Sequence, residues 1–194
     1  MGRWEPNARG RLEQAALALY GERGFEQTTA AEIAKRAGLT ERTFFRYFAD
    51  KREVLFWGAG ALRDLLVNAV AGAPESATPI DAVAAALAAV DAMFGERRDG
   101  ARQRQRIIAE NPELQERELI KMATLASAMA DALRRRGVPD TAASLAAEVG
   151  IAIFRIAFER WINDTDQRDL SHFIRESLDE LKAVTAGSAS SFLS

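Results

Sequence analysis

The chain has 194 residues, 48% of them hydrophobic and 28% charged, a composition typical of a soluble globular protein with a real core. It contains no cysteine, which excludes disulfides, thiolate zinc sites and cysteine nucleophiles and fits a reducing cytoplasm. The net charge of −2 is unevenly spread, since residues 1–52 carry +3 and residues 53–194 carry −5, as expected when only the N-terminal end meets a polyanion.

Neither a targeting segment nor a membrane span is predicted. The first residues, MGRWEPNARGRLEQ, lack the apolar core of a signal peptide. The longest apolar run, residues 82–90, is far shorter than the roughly 20 residues that cross a bilayer. We therefore expect a cytoplasmic protein without membrane association.

Helical periodicity runs through nearly every segment, and no run alternates with the period of two that a half-buried strand requires. The sequence thus predicts an all-α fold of about nine helices. The first extends from about Asn7, its cap, to about Tyr20, and Gly21 and Gly24 end it. Its predicted buried face comprises Leu12, Ala15, Ala16, Leu19 and Tyr20.

Two short helices and a long one are predicted next. Thr29 caps the second helix and Gly38 ends it, while Thr40 caps a third helix over about residues 40–48. A capping box formed by Asp50 and Glu53 predicts a long fourth helix that reaches about Val70.

Residues 71–79, AGAPESATP, break the helical pattern with two prolines and a glycine. Four or five further helices follow, at about Pro79–Phe94, Arg97–Glu110, Asn111–Gly137, Asp140–Asn163 and Asp169–Val184. The predicted domains are a three-helix DNA-binding head (1–52), a connecting helix (53–72), a helical ligand-binding and dimerisation domain (73–185) and a disordered tail (186–194).

Two short helices joined by a glycine turn and followed by basic aromatic residues are typical of a helix-turn-helix. Ala34 is small enough for two helices to cross closely, Gly38 allows the positive φ of a tight turn, and Phe44 points back to hold the third helix. The rest of the predicted small core is Ile33, Ala37, Leu39 and Tyr47 or Phe48.

Four aromatic residues crowd the stretch FFRYF, residues 44–48. Phe44 and Phe48 share one helix face and are predicted to be core, whereas Phe45 is predicted to be exposed. The outer arc is Glu41, Arg42, Thr43, Phe45 and Arg46. This helix, about 12 Å long, matches a major groove roughly 12 Å wide, where arginine and threonine can address bases or phosphates and phenylalanine a thymine methyl group.

The segment TTAAEIAKRAGLTERTFFRYFADKREVL resembles the N-terminal DNA-binding domain of TetR-family transcriptional regulators. The resemblance implies a homodimer, a ligand pocket in the C-terminal domain, and repression that ends when ligand moves the two heads apart. It also implies DNA contacts from Thr40, Glu41, Arg42, Thr43, Phe45, Arg46 and Tyr47 and a phosphate contact from Lys51. Thr29 is a further predicted DNA contact. Phe45 and Tyr47 stand where the family commonly has tyrosine and histidine, so the hydroxyl contact has shifted place.

Residues 148–162, EVGIAIFRIAFERWI, are apolar in nearly every direction around the predicted helix axis. One side can pack on its own domain and the other on the same helix of a second copy. Together with the amphipathic last helix (Leu170, Phe173, Ile174, Leu178 and Leu181), this predicts an isologous homodimer through the last two helices. Two heads about 34–36 Å apart would read a palindromic operator in double-stranded DNA.

The C-terminal helices hold enough large apolar side chains either to line a cavity or to fill a plain core. The stretches RQRQRIIAENPELQERELIK and FRIAFERWI also resemble the C-terminal domain of the TetR-family regulator of the mycofactocin system, which implies a fatty acyl-CoA effector. Arg102, Arg104 and Arg106 would then meet its phosphates, or else form a solvated face. The candidate ligand-binding residues are Phe94, Arg102, Arg106, Met122, Leu125, Met129, Phe154, Phe158 and Trp161.

An enzyme and a helical ligand carrier are the competing classes. With His172 as its single histidine, the chain cannot build a two-histidine zinc motif or a paired di-iron motif, and no phosphate-binding glycine loop follows a strand. We therefore predict no catalytic residue, no metal and no cofactor. Salt-dependent binding to DNA would separate a regulator from a carrier.

Overall fold

The structure, a computed structural model, describes residues 7–95 and 97–186. Within these residues it contains nine α-helices and no strand, which confirms the predicted all-α class. The helices are α1 (Ala8–Arg23), α2 (Ala30–Arg36), α3 (Glu41–Tyr47), α4 (Ala59–Ala71), α5 (Pro79–Phe94), α6 (Arg98–Ala109), α7 (Pro112–Arg135), α8 (Asp140–Asn163) and α9 (Leu170–Thr185). The predicted tail lies outside the described residues except for Ala186.

Two compact units divide the described chain. The N-terminal unit comprises residues 7–59 and 99–119, and the C-terminal unit comprises the described residues of 60–98 and 120–186. Most of α6 and the start of α7 thus belong to the N-terminal unit, although the sequence pattern assigned them to the ligand-binding domain. The predicted boundaries of the DNA-binding and ligand-binding domains stay a prediction, because the division into units shows which residues pack together and not what they bind.

The N-terminal unit is built on the predicted apolar face of α1. All five residues of that face are buried, and they share one core with side chains of α2, α3, α6 and α7. Asn7 caps α1 by accepting a hydrogen bond from the Gly10 amide at 3.0 Å. The helix passes through Gly21 and ends at Gly24, whose φ of 86° is a conformation that glycine adopts at no steric cost.

The predicted long fourth helix is wrong at its start. Asp50 does cap this segment, accepting from the amides of Arg52 and Glu53 at 2.8 and 3.1 Å, but only a short 3₁₀ helix, Glu53–Phe56, follows. The α-helix α4 begins at Ala59. All three apolar residues 54–56 are buried, and consecutive burial does not fit one face of an α-helix; Gly58 and Gly60 also weaken helix formation.

The C-terminal unit is organised around α8, which packs against α5 and α9. At Gly150 the approach to α5 is so close that an added Cβ would lie 2.4 Å from Cγ1 of Val83. The opposite face of α8 is open within the described chain, where Leu145 is 62% and Ile156 54% exposed. The prediction that α8 packs on its own domain on one side is thereby confirmed.

Two stretches, Glu53–Ala71 and Asp140–Asn163, are long and apolar enough to cross a membrane by length and composition. Charged residues interrupt both stretches, so neither stands out as a continuous apolar run in the sequence. They are weak evidence for a membrane protein, because the core helix of a soluble protein passes the same test. In α8 the apolar residues supply the packing against α5 and α9, and a turn at residues 57–58 interrupts the first stretch.

Candidate nucleic-acid interface

Two hydrogen bonds and a left-handed glycine fix the turn between α2 and α3. Ala34 is buried, and its carbonyl accepts a hydrogen bond from the Leu39 amide at 2.8 Å. Gly38 has a φ of 68°, and Nε of Arg11 donates to the Ala37 carbonyl at 3.0 Å. The positive φ predicted for Gly38 is confirmed, and the turn sets the direction in which α3 leaves α2.

Helix α3 is anchored by one face. The Thr40 hydroxyl caps it by accepting from the Thr43 amide at 3.2 Å, as predicted. Phe44 is fully buried, and its ring centroid lies 5.5 Å from that of Phe48, which is also buried. These two rings therefore hold the helix on the core of the N-terminal unit, as the sequence predicted.

The opposite face of α3 is open. Glu41, Arg42 and Arg46 are exposed, and Phe45 exposes 53% of its surface although its ring meets Phe44 edge to face. Thr40 is exposed as well, whereas Thr43 and Tyr47 are half-buried. The structure thus places the predicted contact residues of α3 on one accessible surface with mixed cationic, hydroxyl and apolar chemistry.

Two predicted contacts outside α3 already have partners within the chain. Thr29 forms the capping box of α2: its hydroxyl accepts from the Glu32 amide at 3.2 Å, and the Glu32 carboxylate accepts from the Thr29 amide at 2.9 Å. Nζ of Lys51 donates to the carbonyls of Phe25 and Glu26 at 2.8 and 3.2 Å. The ammonium also lies 4.2 Å from the centroid of the Phe25 ring.

Tyr20 holds the backbone of this same segment. Its hydroxyl donates to the carbonyl of Lys51 at 2.6 Å. Burial raises the pKa of Tyr20, with Asp50 adding to the shift, so the phenol stays neutral and remains a donor. The chain after α3 is therefore fastened to α1 through the backbone of Lys51 and to the loop after α1 through its side chain.

Sequence reasoning missed Arg9. Its guanidinium carbon lies 5.6 Å from the Tyr47 ring centroid and 5.8 Å from that of Trp57, and Arg46 lies 5.0 Å from the same Tyr47 ring. No local motif marks such a contact, because α1 and α3 are far apart in sequence. The one available signal was an arginine in the first turn of a helix belonging to a basic segment.

The candidate ligand-binding residues separate into two groups. In the C-terminal unit, Phe94, Phe154, Phe158 and Trp161 form one aromatic cluster with ring centroids 5.3–6.3 Å apart. Leu125 and Met129 of α7 are buried in the same unit, and Met122 is half-buried.

The arginines of α6 belong to the N-terminal unit. Arg106 is exposed, and Arg102 pairs with Asp99 at 3.2 Å. The suggested phosphate contact by Arg104 is wrong, because that side chain turns inward, donates to the Leu55 carbonyl at 2.7 Å and pairs with Glu118 at 3.1 Å. Burial lowers the pKa of the Arg104 guanidinium, and Glu118 opposes the shift.

No group of three or more His, Cys, Asp or Glu side chains that could hold a metal ion occurs among residues 7–95 and 97–186. The single histidine, His172, lies on α9 with Nε2 3.0 Å from Oε1 of Glu176. This histidine therefore faces an acidic neighbour on its own helix and not a set of metal ligands.

The fold and its exposed α3 define a helix-turn-helix DNA-binding protein. Residues 13–56 match the profile described as "Bacterial regulatory proteins, tetR family", and residues 77–186, more than half of the chain, match the "MftR C-terminal domain". The chain belongs to the TetR family of transcriptional regulators, within the group that carries this C-terminal domain.

Named relatives agree with this assignment. The chain is 28% identical over 189 residues to the HTH-type transcriptional regulator TcmR of Streptomyces glaucescens, covering 90% of this chain and 82% of that protein. It is 26% identical over 168 residues to MftR of Mycobacterium tuberculosis, covering 84% of each. The TetR-family repressor FadR of Thermus thermophilus, solved in complex with lauroyl-CoA, superposes with a TM-score of 0.52 at 25% identity, covering 89% of this chain and 92% of FadR.

Proposed function

We propose that the protein is a ligand-responsive repressor that binds a palindromic operator as a homodimer and is released by a small apolar or acyl-CoA-like effector. The observation that carries the proposal is the two-sided α3, in which Phe44 is fully buried while its neighbour Phe45 is 53% exposed beside Arg42 and Arg46. An exposed aromatic ring between arginines suits a groove that offers thymine methyl groups and guanine acceptors.

The other candidate contacts have distinct roles in this proposal. Arg42 and Arg46 read guanine edges or phosphates, and Phe45 contacts a thymine methyl or a sugar. Thr40, Glu41, Thr43 and Tyr47 complete the surface of α3. Thr29 and Lys51 contact phosphates at its border, Lys51 with the one ammonium proton that its two carbonyl bonds leave.

Homodimerisation is supported by the open face of α8. Leu145 and Ile156 are eleven residues apart, three helical turns, so they lie on one side of the helix together with the exposed Ala152. Apolar residues aligned on a face that nothing in the described chain covers fit an isologous interface formed with the same helix of a second copy and completed by α9.

An apolar effector is supported by the aromatic cluster of the C-terminal unit. Phe94 and Phe158 are only half-buried there, so the cluster has an accessible side that an acyl chain could cover. The complex of FadR with lauroyl-CoA makes acyl-CoA the first class to test. Met122, Leu125 and Met129 of the same unit add apolar surface.

We also infer that the protein acts in the cytoplasm and is not an enzyme, since the proposed function needs only DNA binding and effector binding. A helical ligand carrier is the alternative outcome of the experiment below. Such a carrier would bind the effector without salt-dependent binding to DNA.

Selection from a pool of randomised duplexes tests the DNA-binding part of the proposal. We expect a palindromic site to be enriched and its binding to weaken steeply with salt. Repeating the selection with Arg42→Ala and Arg46→Ala should change base preference within the half-site, whereas Arg63→Ala, a charge-matched change on α4, should not. Failure to enrich any site, with lauroyl-CoA still bound, would favour the carrier.

Titration of the selected complex with lauroyl-CoA tests the effector. Release of the DNA supports the repressor proposal, and Phe158→Ala should raise the concentration needed for release. Tighter DNA binding with lauroyl-CoA would contradict release as the mode of regulation. Coenzyme A alone serves as the control for the acyl chain.

A further inference from the structure

Arg9 lies in the first turn of α1 and is exposed. Its guanidinium contacts two aromatic rings from different parts of the N-terminal unit, that of Tyr47 at the end of α3 and that of Trp57 after the 3₁₀ helix. Since Arg46 lies over the same Tyr47 ring, two guanidinium groups converge on one tyrosine.

Among the described residues, Arg9 is held in place by aromatic rings and not by a carboxylate. Other arginines of this unit pair with carboxylates, as Arg23 does with Glu32 at 3.1 Å and Arg52 with Asp50 at 2.9 Å. Within residues 7–95 and 97–186, Arg9 has ring contacts and no such ion pair. A ring attracts the cation but offers no carboxylate oxygen, so the guanidinium donors stay available for an oxyanion.

The neighbouring Arg46 adds a second reason to expect an anion at this place. The guanidinium carbons of Arg9 and Arg46 lie 5.6 and 5.0 Å from the centroid of the Tyr47 ring, so the positive potential around this ring favours an anion. The rings also restrict the long Arg9 side chain before binding, which lowers the entropy that the contact must overcome.

We propose that Arg9 is a further DNA-contacting residue, which binds a backbone phosphate next to the site of α3 and is positioned by Tyr47 and Trp57. The proposal rests on the DNA-binding function proposed above. A phosphate contact fixes the register of the head on the duplex and carries no base preference.

The salt dependence of DNA binding tests this proposal. The affinities of the wild type, Arg9→Ala and Arg9→Lys for the selected operator and for a random-sequence duplex are measured across a salt series. Loss of one phosphate contact lowers the slope of log affinity against log salt by about 0.9, so the advantage of the wild type over Arg9→Ala falls about 3.5-fold between about 50 and about 200 mM salt. Arg9→Lys retains the slope.

Arg63→Ala is the control, since it removes the same charge from an exposed position of the C-terminal unit. Its slope should equal that of the wild type. Thermal unfolding of each variant checks that the heads remain folded, as expected for an exposed position such as Arg9.

A double-mutant cycle with Tyr47→Leu tests the positioning role. If the ring holds Arg9 for DNA, the effect of Arg9→Ala on affinity is smaller in the Tyr47→Leu background than in the wild type. Equal effects in the two backgrounds would show that Tyr47 does not position Arg9.

The outcomes separate this inference from the proposed function. Salt-dependent binding by the wild type with an unchanged slope in Arg9→Ala overturns the inference and leaves the regulator intact. A change of operator preference in Arg9→Ala overturns the phosphate assignment in favour of a base contact. A wild type that binds neither duplex overturns the proposed function itself.

Discussion

At the scale of single residues, the same residue type has different roles depending on where the fold places its side chain. Arg46 and Arg104 are both arginines of the N-terminal unit, yet Arg46 is exposed on α3 while Arg104 is turned inward onto Leu55 and Glu118. Lys51 is intermediate, because its ammonium group donates hydrogen bonds to two carbonyl oxygens and keeps one N–H group for another partner.

Lys51→Ala should therefore have two effects. It should lower the free energy of unfolding by about 1–3 kcal/mol, through loss of the carbonyl bonds and of the contact with the Phe25 ring. It should also weaken binding to all DNA sequences and lower the salt slope by about 1. Chemical denaturation and a salt series measure the two effects separately.

Lys35→Ala is the control for this variant, since Lys35 is exposed on the neighbouring α2. A less stable Lys51→Ala protein with the salt slope of the wild type would show that Lys51 only fastens the loop after α1.

At the scale of elements, two contacts in the C-terminal unit show what holds its helices together. Gly150 lets α8 approach α5 more closely than a side chain would permit. Asp164, which follows α8, has a buried carboxylate that accepts from the amide of Arg168 at 3.0 Å and from Arg98, the first residue of α6, at 3.4 Å. The contact at Gly150 depends on shape, and the contact at Asp164 depends on charge.

Gly150→Ala should lower the free energy of unfolding by up to about 2 kcal/mol. Alanine favours a helix over glycine by about 1 kcal/mol, but its Cβ would lie 2.4 Å from Val83 Cγ1, and overpacking costs about 1–3 kcal/mol. Denaturant titration checks the change, and adding Val83→Ala should restore part of the loss.

Gly60→Ala provides the matched comparison on α4. An added Cβ there meets nothing within 4 Å, so stability should stay the same or rise slightly. Equal behaviour of the two alanine variants would contradict a close contact between α5 and α8.

Asp164 predicts a stability that depends on acid pH. Hydrogen bonds from Arg168, assisted by the charge of Arg98, hold the pKa of this carboxyl below its ordinary value of 3.8. Since the folded pKa is the lower one, the ionised group stabilises the fold at neutral pH, and this contribution is lost as pH falls below about 4. Asp164→Asn should be less stable than the wild type at pH 7, by a margin that shrinks at acid pH.

Thermal unfolding of both proteins across this pH range measures the margin. Asp166→Asn, at an exposed carboxylate of the same loop, should leave the profile unchanged. A margin for Asp164→Asn that is constant down to about pH 3 would rule out the ionised carboxylate as its source.

At the scale of the whole molecule, α8 has an open face that no part of the described chain covers. Leu145 and Ile156 expose more than half of their surface on this face, which lies opposite the buried residues of the helix. A palindromic operator needs two heads, so the dimer proposed through this face would join stability and DNA reading in one assembly.

Ile156→Glu should dissociate that dimer. In an isologous interface the substitution occurs twice and buries unpaired charge, so dimerisation should weaken by about 3 kcal/mol or more, roughly 100-fold in Kd. Size-exclusion chromatography with light scattering detects the monomer. Ile120→Glu, at an apolar residue of α7 exposed to a similar degree, should remain dimeric; an unaffected Ile156→Glu would place the interface elsewhere.

Sequence by itself determined the position of most helices, the caps of α2 and α3 and the exposed face of α3, because these follow from local rules. Periodicity distinguished Phe44 from Phe45, and Thr29, Thr40 and Gly38 bounded the short helices with no help from distant residues. The bounds of α5 and α8 were predicted to the residue for the same reason.

Tertiary structure alone decided the matters that depend on residues far apart in the chain. Burial of residues 54–56 converted the start of the predicted fourth helix into a 3₁₀ turn, and packing drew residues 99–119 into the N-terminal unit. The contact of Arg9 with Tyr47 joins residues 38 positions apart. Such contacts arise from how helices pack in three dimensions, which a local pattern of residue types does not specify.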